Sequence, residues 1–330
     1  MSYLTEELVG LGHEVTLFAS GDSVTAARLV PGCDRALRLD PDSAASRDPV
    51  AAHLVLLEKV FAQARQFDVV HFHCDYLHFP LSRRSRMAQV TTLHGRLDLP
   101  EMVALYREYR EAPLVSISDA QRLPIPWANW RATVHHGLPP SAWEPQLEPG
   151  SYVAVLGRIS PEKGVDAAIE IARRAGVPLR IAAKVDPSDR AYFESVIEPL
   201  LEDPGVEFLG EIGESEKNAF LGGARALLFP IDWPEPFGLV MIEAMACGTP
   251  VVAYRRGSVT EVLEDGVTGF IVPDVAAAAR AVKRIDRLDR ARVRHEFDRR
   301  FSARRMALDY LDVYAGVREG RSSDAYAGRS

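Results

Sequence analysis

Cysteine is scarce. The chain has three in 330 residues, Cys33, Cys74 and Cys247, far apart and without a C-x-x-C pair. That excludes a disulfide framework and fits a reducing cytosol. Long hydrophobic runs are missing too, since no stretch approaches the roughly 18 apolar residues of a membrane helix. The N-terminus carries acids instead of a basic segment followed by an apolar one, so no secretory signal peptide is expected. Nor is positive charge in excess. Against 46 Asp and Glu stand 39 Lys and Arg, a formal charge of −7, so no nucleic-acid partner that relies on broad phosphate neutralisation is expected. The expected compartment is the cytoplasm, in solution or peripheral at a membrane.

What is there is ordinary globular material, 47% hydrophobic and 26% charged, long enough for two domains. Strands alternate with helices, which implies parallel sheets. Residues 1–11 read as an amphipathic helix and 13–20 as a strand. Gly10 and Gly12 follow a helix and precede a strand, the reverse of the order in a dinucleotide fold, and so mark a turn. The chain therefore lacks the opening strand and Gly-rich turn of such a domain. A truncated start is one explanation, with an exposed apolar sheet edge and a homodimer as expected consequences. Helices are expected at 50–67 and 100–110, and strands at 68–73, 89–95, 114–118 and 132–137. Four prolines between Leu138 and Gly150 mark a linker. A second alternation follows, with strands at 152–156, 178–185, 206–209, 226–231, 250–254 and 270–272. Its helices are expected at 165–175, 188–202, 214–223, 238–247, 258–264 and 274–285. Residues 290–318 read as helical. The expected organisation is an N-terminal Rossmann-like domain at 1–138, a linker at 139–150 and a second doubly wound domain at 151–301. A helix at 302–318 and a disordered tail at 319–330 complete it.

The stretch that organises the chain runs from Asp232 to Tyr254. Pro234 and Pro236 forbid a helix before Phe237. The helix that follows stops at Gly248, with Pro250 beyond it. A helix N-terminus offers unpaired N–H groups to an anion, and Gly238 lets a ligand approach the backbone. Glu235 precedes this helix, and Glu243 lies on its Leu239 face. A carboxylate on so apolar a helix needs a partner. Ligand hydroxyls would serve; equally, Glu235 could cap the helix and Glu243 could pair with an arginine. Arg158 and Lys163, in a strand-to-helix loop bracketed by Gly157 and Gly164, suit a diphosphate, although two solvated cations are the blander reading. The spacing is not that of a Walker A loop.

Glu235 and Glu243 in E-P-F-G-L-V-M-I-E-A-M-A-C-G-T-P-V-V-A resemble the E-x7-E signature of the retaining GT-B glycosyltransferases of family 4. G-R-I-S-P-E-K-G at 157–164, E-V-L-E-D-G-V-T-G-F-I-V at 261–272 and T-L-H-G at 92–95 support the resemblance, which extends to about Val317. It implies two Rossmann-like domains facing a cleft, a nucleotide-diphospho-sugar donor, no cofactor and no metal. By resemblance, Arg158 and Lys163 bind the diphosphate, the N–H groups of Phe237, Gly238 and Leu239 hold sugar or phosphate, and Pro236 lies against the donor sugar. Glu235 and His94 face the donor sugar, and Glu243 binds the ribose. The acceptor could be a sugar, a lipid-linked sugar or a small molecule.

His71, His73 and His78 look like a metal cluster, but no second cluster matches them, and structural or acceptor-side roles are simpler. His136 stands where relatives often have Asn. Ser118-Asp119 reads as a helix N-cap. Hydrolysis by Glu235 and Glu243 is set aside. On one helix they would sit roughly 12 Å apart, beyond the about 5–9.5 Å of a glycosidase pair. Two other functions are kept: a nucleotide-sugar-binding protein without transferase activity, and a GT-B-fold nucleotide-sugar epimerase.

Overall fold

The structure is a computed structural model that describes residues 2–40 and 47–327, with side chains described to residue 319. The chain divides into two compact units. The first comprises Met1–Ile117, Arg122–Gly137 and Ala303–Ser330; the second comprises Ser118–Gln121 and Leu138–Ser302.

The first unit opens with α1 (Ser2–Gly10), β1 (Thr16–Ser20) and β2 (Arg28–Cys33). These two strands pair only with each other, in parallel. Then comes α2 (Pro49–Gln63), started by the Asp48 side chain, which accepts from the Ala51 N–H, and by a proline at the first helical position. β3 (Val70–Phe72), β4 (Gln89–Thr92), α3 (Pro100–Glu108), β5 (Leu114–Ser116) and β6 (Trp130–Thr133) follow. The four strands form a parallel sheet in sequence order. α2 packs Leu57 and Val60 against Phe72 of β3 and Phe18 of β1, so one helix covers parts of both sheets.

The second unit holds β7 (Tyr152–Arg158), α4 (Val165–Ala175), β8 (Leu179–Lys184), β9 (Val206–Gly210), α5 (Glu214–Gly222), β10 (Ala224–Phe229), α6 (Leu239–Ala246), β11 (Val251–Tyr254), β12 (Gly269–Val272), α7 (Val275–Lys283) and α8 (Arg290–Arg300). Its six parallel strands run in the order β12-β11-β10-β7-β8-β9. The order reverses between β7 and β10, and ligands of such sheets bind beyond the carboxyl ends of strands at that point. The residues after β7 and β10 are therefore where chemistry is expected.

Three expectations need correction. Residues 188–202 are not one α-helix but a succession of tight and wide turns, including a π-turn at Phe193–Ile197. Pro199 has no N–H to donate, and its ring crowds the carbonyl four residues back. The linker is no free tether. Leu138 and Trp143 are buried, and Arg294 donates to the Pro140 and Trp143 carbonyls, strapping the segment to the second unit. The stretch 290–318 is helical, and its break falls at Phe301, just before the separate helix expected from 302; the Phe301 carbonyl accepts from the Leu138 N–H. That separate helix, α9 (Ala303–Ala327), continues through most of the segment expected to be a disordered tail. Once nucleated, a helix extends cheaply through Arg, Ser and Ala; residues 328–330 lie outside the described residues.

α9 belongs to the first unit. It buries Met306, Ala307, Tyr310 and Val313 against Leu4 and Leu8 of α1 and against Val90, Val115 and Val134. At about 1.5–3 kcal/mol for each large apolar side chain fully buried, this is core packing.

Candidate functional site

Lys163 ends the tight turn Pro161–Lys163 just beyond β7. The chain can turn there because Gly164 adopts φ 66°, and a Cβ on it would sit 2.3 Å from the Pro230 carbonyl oxygen. The loops after β7 and β10 thus lie against each other, and the Asp232 N–H donates to the Glu162 carbonyl at 2.9 Å. This approach brings Lys163 Nζ to 2.5 Å from Glu235 Oε2, to which Trp233 Nε1 also donates at 3.0 Å. The ammonium lies 5.1 Å from the Trp233 ring centroid, over an electron-rich face. Lys163 and Glu235, 72 positions apart, are one ion pair, only 24% and 12% exposed.

A loop after β11 supports this pair. Gly257 has φ 49°, and a Cβ there would fall 2.3 Å from the Glu235 carbonyl oxygen. Ser258 donates from its N–H to that carbonyl at 3.1 Å and from Oγ to the Phe237 carbonyl at 2.7 Å. Ser118 Oγ donates to the Pro236 carbonyl at 2.6 Å and accepts from the Gln121 N–H. Ser118 therefore caps its short helix, as its sequence suggests, and also holds the segment before α6. Glu261 adds to the same anchoring by accepting from the Asp119 and Ala120 N–H groups, both at 2.7 Å.

α6 begins at Leu239, after Gly238 in the left-handed conformation at φ 78°. A Cβ on Gly238 would collide with Met241 and Phe229. Leu239 is 45% exposed, whereas Phe237 is buried. Glu243, one turn on, is buried. Its partner is Lys217 on α5, at 3.0 Å, not an arginine; Lys217 also bonds Glu214 at 2.7 Å. Burial raises the Glu243 carboxyl above its usual range, and the Lys217 ammonium only partly offsets this. Arg158 is 45% exposed and surrounded by carboxylates: Glu162 at 2.8 Å, Asp186 at 3.6 Å and Asp189 at 3.7 Å. The fold thus gathers Lys163, Glu235, Pro236, Phe237, Gly238 and Leu239, and compensates Arg158 with carboxylates nearby.

The sequence reading missed Lys217, Trp233, Gly257 and Ser258. The signal available was a Gly-Ser pair closely following a strand, a common device for bringing backbone close to a site.

In the first unit, His94 lies two residues past β4. His94 Nε2 is 2.9 Å from His73 Nδ1. His71 is pinned by the Tyr314 hydroxyl at 2.8 Å and Thr92 Oγ1 at 2.7 Å, and its ring lies 4.0 Å from that of His73. His136 stacks parallel to His94 at 5.4 Å. Burial pushes His71 and His136 down to about 3 and His94 to about 4, so this group is neutral at pH 7. His78 stands apart, bonded to Thr91 on the wall of a cavity of about 180 Å3 that also involves Gln89, at the start of β4. Among the described residues no group of His, Cys, Asp and Glu is arranged to hold a metal ion. None of the helices there is long and apolar enough to cross a membrane.

Residues 143–304 match the family described as glycosyl transferases group 1, and residues 1–145 match glycosyltransferase family 4. A phosphatidyl-myo-inositol mannosyltransferase of Propionibacterium freudenreichii is 29% identical over 318 residues, 83% of this chain and 78% of that protein. A glycogen synthase of Mycobacterium tuberculosis is 31% identical over 208 residues, 56% of this chain, which spans 49% of that relative's length. Among solved structures, Anabaena Alr3699/HepE in complex with UDP and glucose superposes with a TM-score of 0.71 at 18% identity, covering 95% of this chain and 94% of that one.

Proposed function

The chain belongs to the GT-B glycosyltransferases, and from that premise we propose that it moves a sugar from a nucleotide-diphospho-sugar to a hydroxyl acceptor with retention of anomeric configuration. The observation that carries the proposal is the Lys163–Glu235 pair beside the N-terminus of α6, at the point where the strand order reverses.

Chemistry follows from that placement. The acceptor oxygen bonds to the anomeric carbon as the bond from that carbon to the β-phosphate oxygen breaks. The acceptor proton passes to the departing phosphate, so no enzymic nucleophile is required. Lys163 neutralises charge that grows on the leaving diphosphate, which places its effect in the transition state. Arg158 assists if a phosphate displaces Glu162 from its guanidinium. The N–H groups from Phe237 to Leu239 take the sugar or phosphate, and Pro236 sets the turn that presents them. Glu235 binds donor-sugar hydroxyls, as does His94, and Glu243 binds the ribose. Because a cation and a helix terminus already serve the diphosphate, the proposed reaction runs without metal or other cofactor. That the solved relative HepE was crystallised with UDP and glucose supports a nucleotide-sugar donor. The acceptor is a sugar, a lipid-linked sugar or a small molecule, and the protein works in the cytoplasm or peripherally at a membrane, as a monomer or homodimer.

The test begins with a melting screen against UDP, GDP, ADP and their sugars. A ligand at a hundredfold excess over Kd stabilises by about 2.7 kcal/mol. The donor that stabilises is then supplied with candidate acceptors in the presence of EDTA, and the product's anomeric proton is read by NMR. Transfer with the donor's own configuration is expected. Inverted product, a requirement for added metal, or binding without transfer would each overturn a stated part of the proposal.

A further inference from the structure

Asp75 is the one non-glycine residue with positive φ in the described backbone, at 49°. Asp is among the few residues that enter that conformation readily, and here it marks a turn in the loop after β3. Burial raises the Asp75 carboxyl, and the His94 backbone N–H near it lowers it. Two residues earlier in the same loop, His73 Nδ1 lies 2.9 Å from His94 Nε2, with the rings stacked at 5.2 Å and 25°. The loop after β3 therefore grips His94 by its ring. Behind the grip, His73 is backed by the His71 ring, which Tyr314 and Thr92 fix in turn. Thr92 is bonded also to the Tyr310 hydroxyl at 2.9 Å.

We propose that His73 is a positioning residue that fixes the place and tautomer of His94 for the sugar-transfer step. The inference rests on the proposed role of His94 toward the donor sugar and adds to it the group through which that role is prepared. Two neutral imidazoles in one hydrogen bond must divide the roles, one donating and one accepting. Fixing the His73 tautomer therefore fixes which nitrogen of His94 carries its proton.

The experiment compares single variants of the full chain for kcat, donor KM and melting temperature. His73→Leu should lower kcat about tenfold or more, the scale of lost placement, with little change in KM. His73→Asn, which places an amide near the Nδ1 position, should restore part of it. His73→Leu combined with His94→Ala should be no slower than His94→Ala alone. The imidazole 15N spectrum gives a readout free of turnover, and His73→Leu should shift the His94 Nε2 resonance.

If His94→Ala is slow while His73→Leu turns over within about twofold of wild type, positioning is refuted and the transferase reading stands; additive losses in the double variant refute it equally. If His94→Ala itself keeps the wild-type rate, the role of His94 fails, and this inference fails with it.

Discussion

The two units solve one problem with different chemistry. Each must keep polar groups at the carboxyl ends of buried parallel strands. The second unit does it with opposed full charges: Lys163 with Glu235, Lys217 with Glu243, and Arg158 among Glu162, Asp186 and Asp189. The first does it with neutral rings, and of the nine histidines only His295 lies in the second unit. An ion pair can exchange one partner for a ligand of the same charge, so Lys163 can turn from a carboxylate to a phosphate. A neutral imidazole network has no such charge to exchange, but it orients hydrogen bonds. The difference teaches which half is equipped to meet an anion and which to fix a direction.

The strongest way to break this comparison is to remove α9. A chain ending at Phe301 loses Met306, Tyr310 and Val313 from the first unit's core and both tyrosines from its histidine network. The first unit should unfold or aggregate, while the six-stranded sheet of the second keeps hydrogen-exchange protection. A soluble, active chain ending there would show that the network does not depend on its tyrosines.

Next in size is Lys163→Ala, expected to lower kcat by roughly 10²–10³, the scale of losing one preorganised donor to developing charge. Glu235→Ala should impair use of the intact donor. It should also leave binding of the bare diphosphate unchanged or tighter, because Lys163 is freed from its carboxylate. Calorimetry with the nucleoside diphosphate decides this, and a loss of diphosphate affinity in a folded Glu235→Ala protein would remove Glu235 from the sugar.

The third way uses pH. His71, His78 and His136 have folded values of about 3, against about 6.5 in an unfolded chain. The unfolded state therefore binds more protons at any pH between those values. Stability is fully present above about pH 6.5 and falls as pH drops toward 3, at about 1.4 kcal/mol per pH unit for each histidine. Hydrogen exchange at pH 7 and pH 5 should find the first unit loosened well before the second. Equal loosening of both would contradict the contrast.

The smallest expected effect is that of Glu243→Ala, which should mainly raise the donor KM, since ribose hydroxyls look alike in ground and transition states. Because the variant also leaves Lys217 with only Glu214, melting temperature is measured alongside.

How much of this was legible varies by residue for physical reasons. Proline and glycine act locally, so the loop at 233–236 and the stop at Gly248 could be read directly, whereas the left-handed Gly238 before Leu239 was read as the start of the helix. Lys163 and Glu235 could each be assigned to a strand end from hydrophobic alternation. Their pairing could not, because it depends on Gly164 and Gly257 letting three loops touch, and contact between loops leaves no periodic trace. The partner of Glu243 lay on another helix for the same reason. The linker at 138–150 was misjudged because prolines signal irregular backbone, while the burial of Trp143 and the carbonyls bonded by Arg294 decide whether irregular backbone is free. Pro199 was legible as a helix breaker and should have divided 188–202.

That α9 belongs to the first unit has a consequence for how the protein is made. A ribosome delivers α1 through β6 first, then all of residues 138–302, and only afterwards the helix that closes the first core. At the usual 5–20 residues per second the wait is about 10–30 s. Through that interval Leu4, Leu8, Val90 and Val115 lack the surface that later covers them, and the second unit is free to fold first. The earlier half of the message therefore yields the later half of the fold.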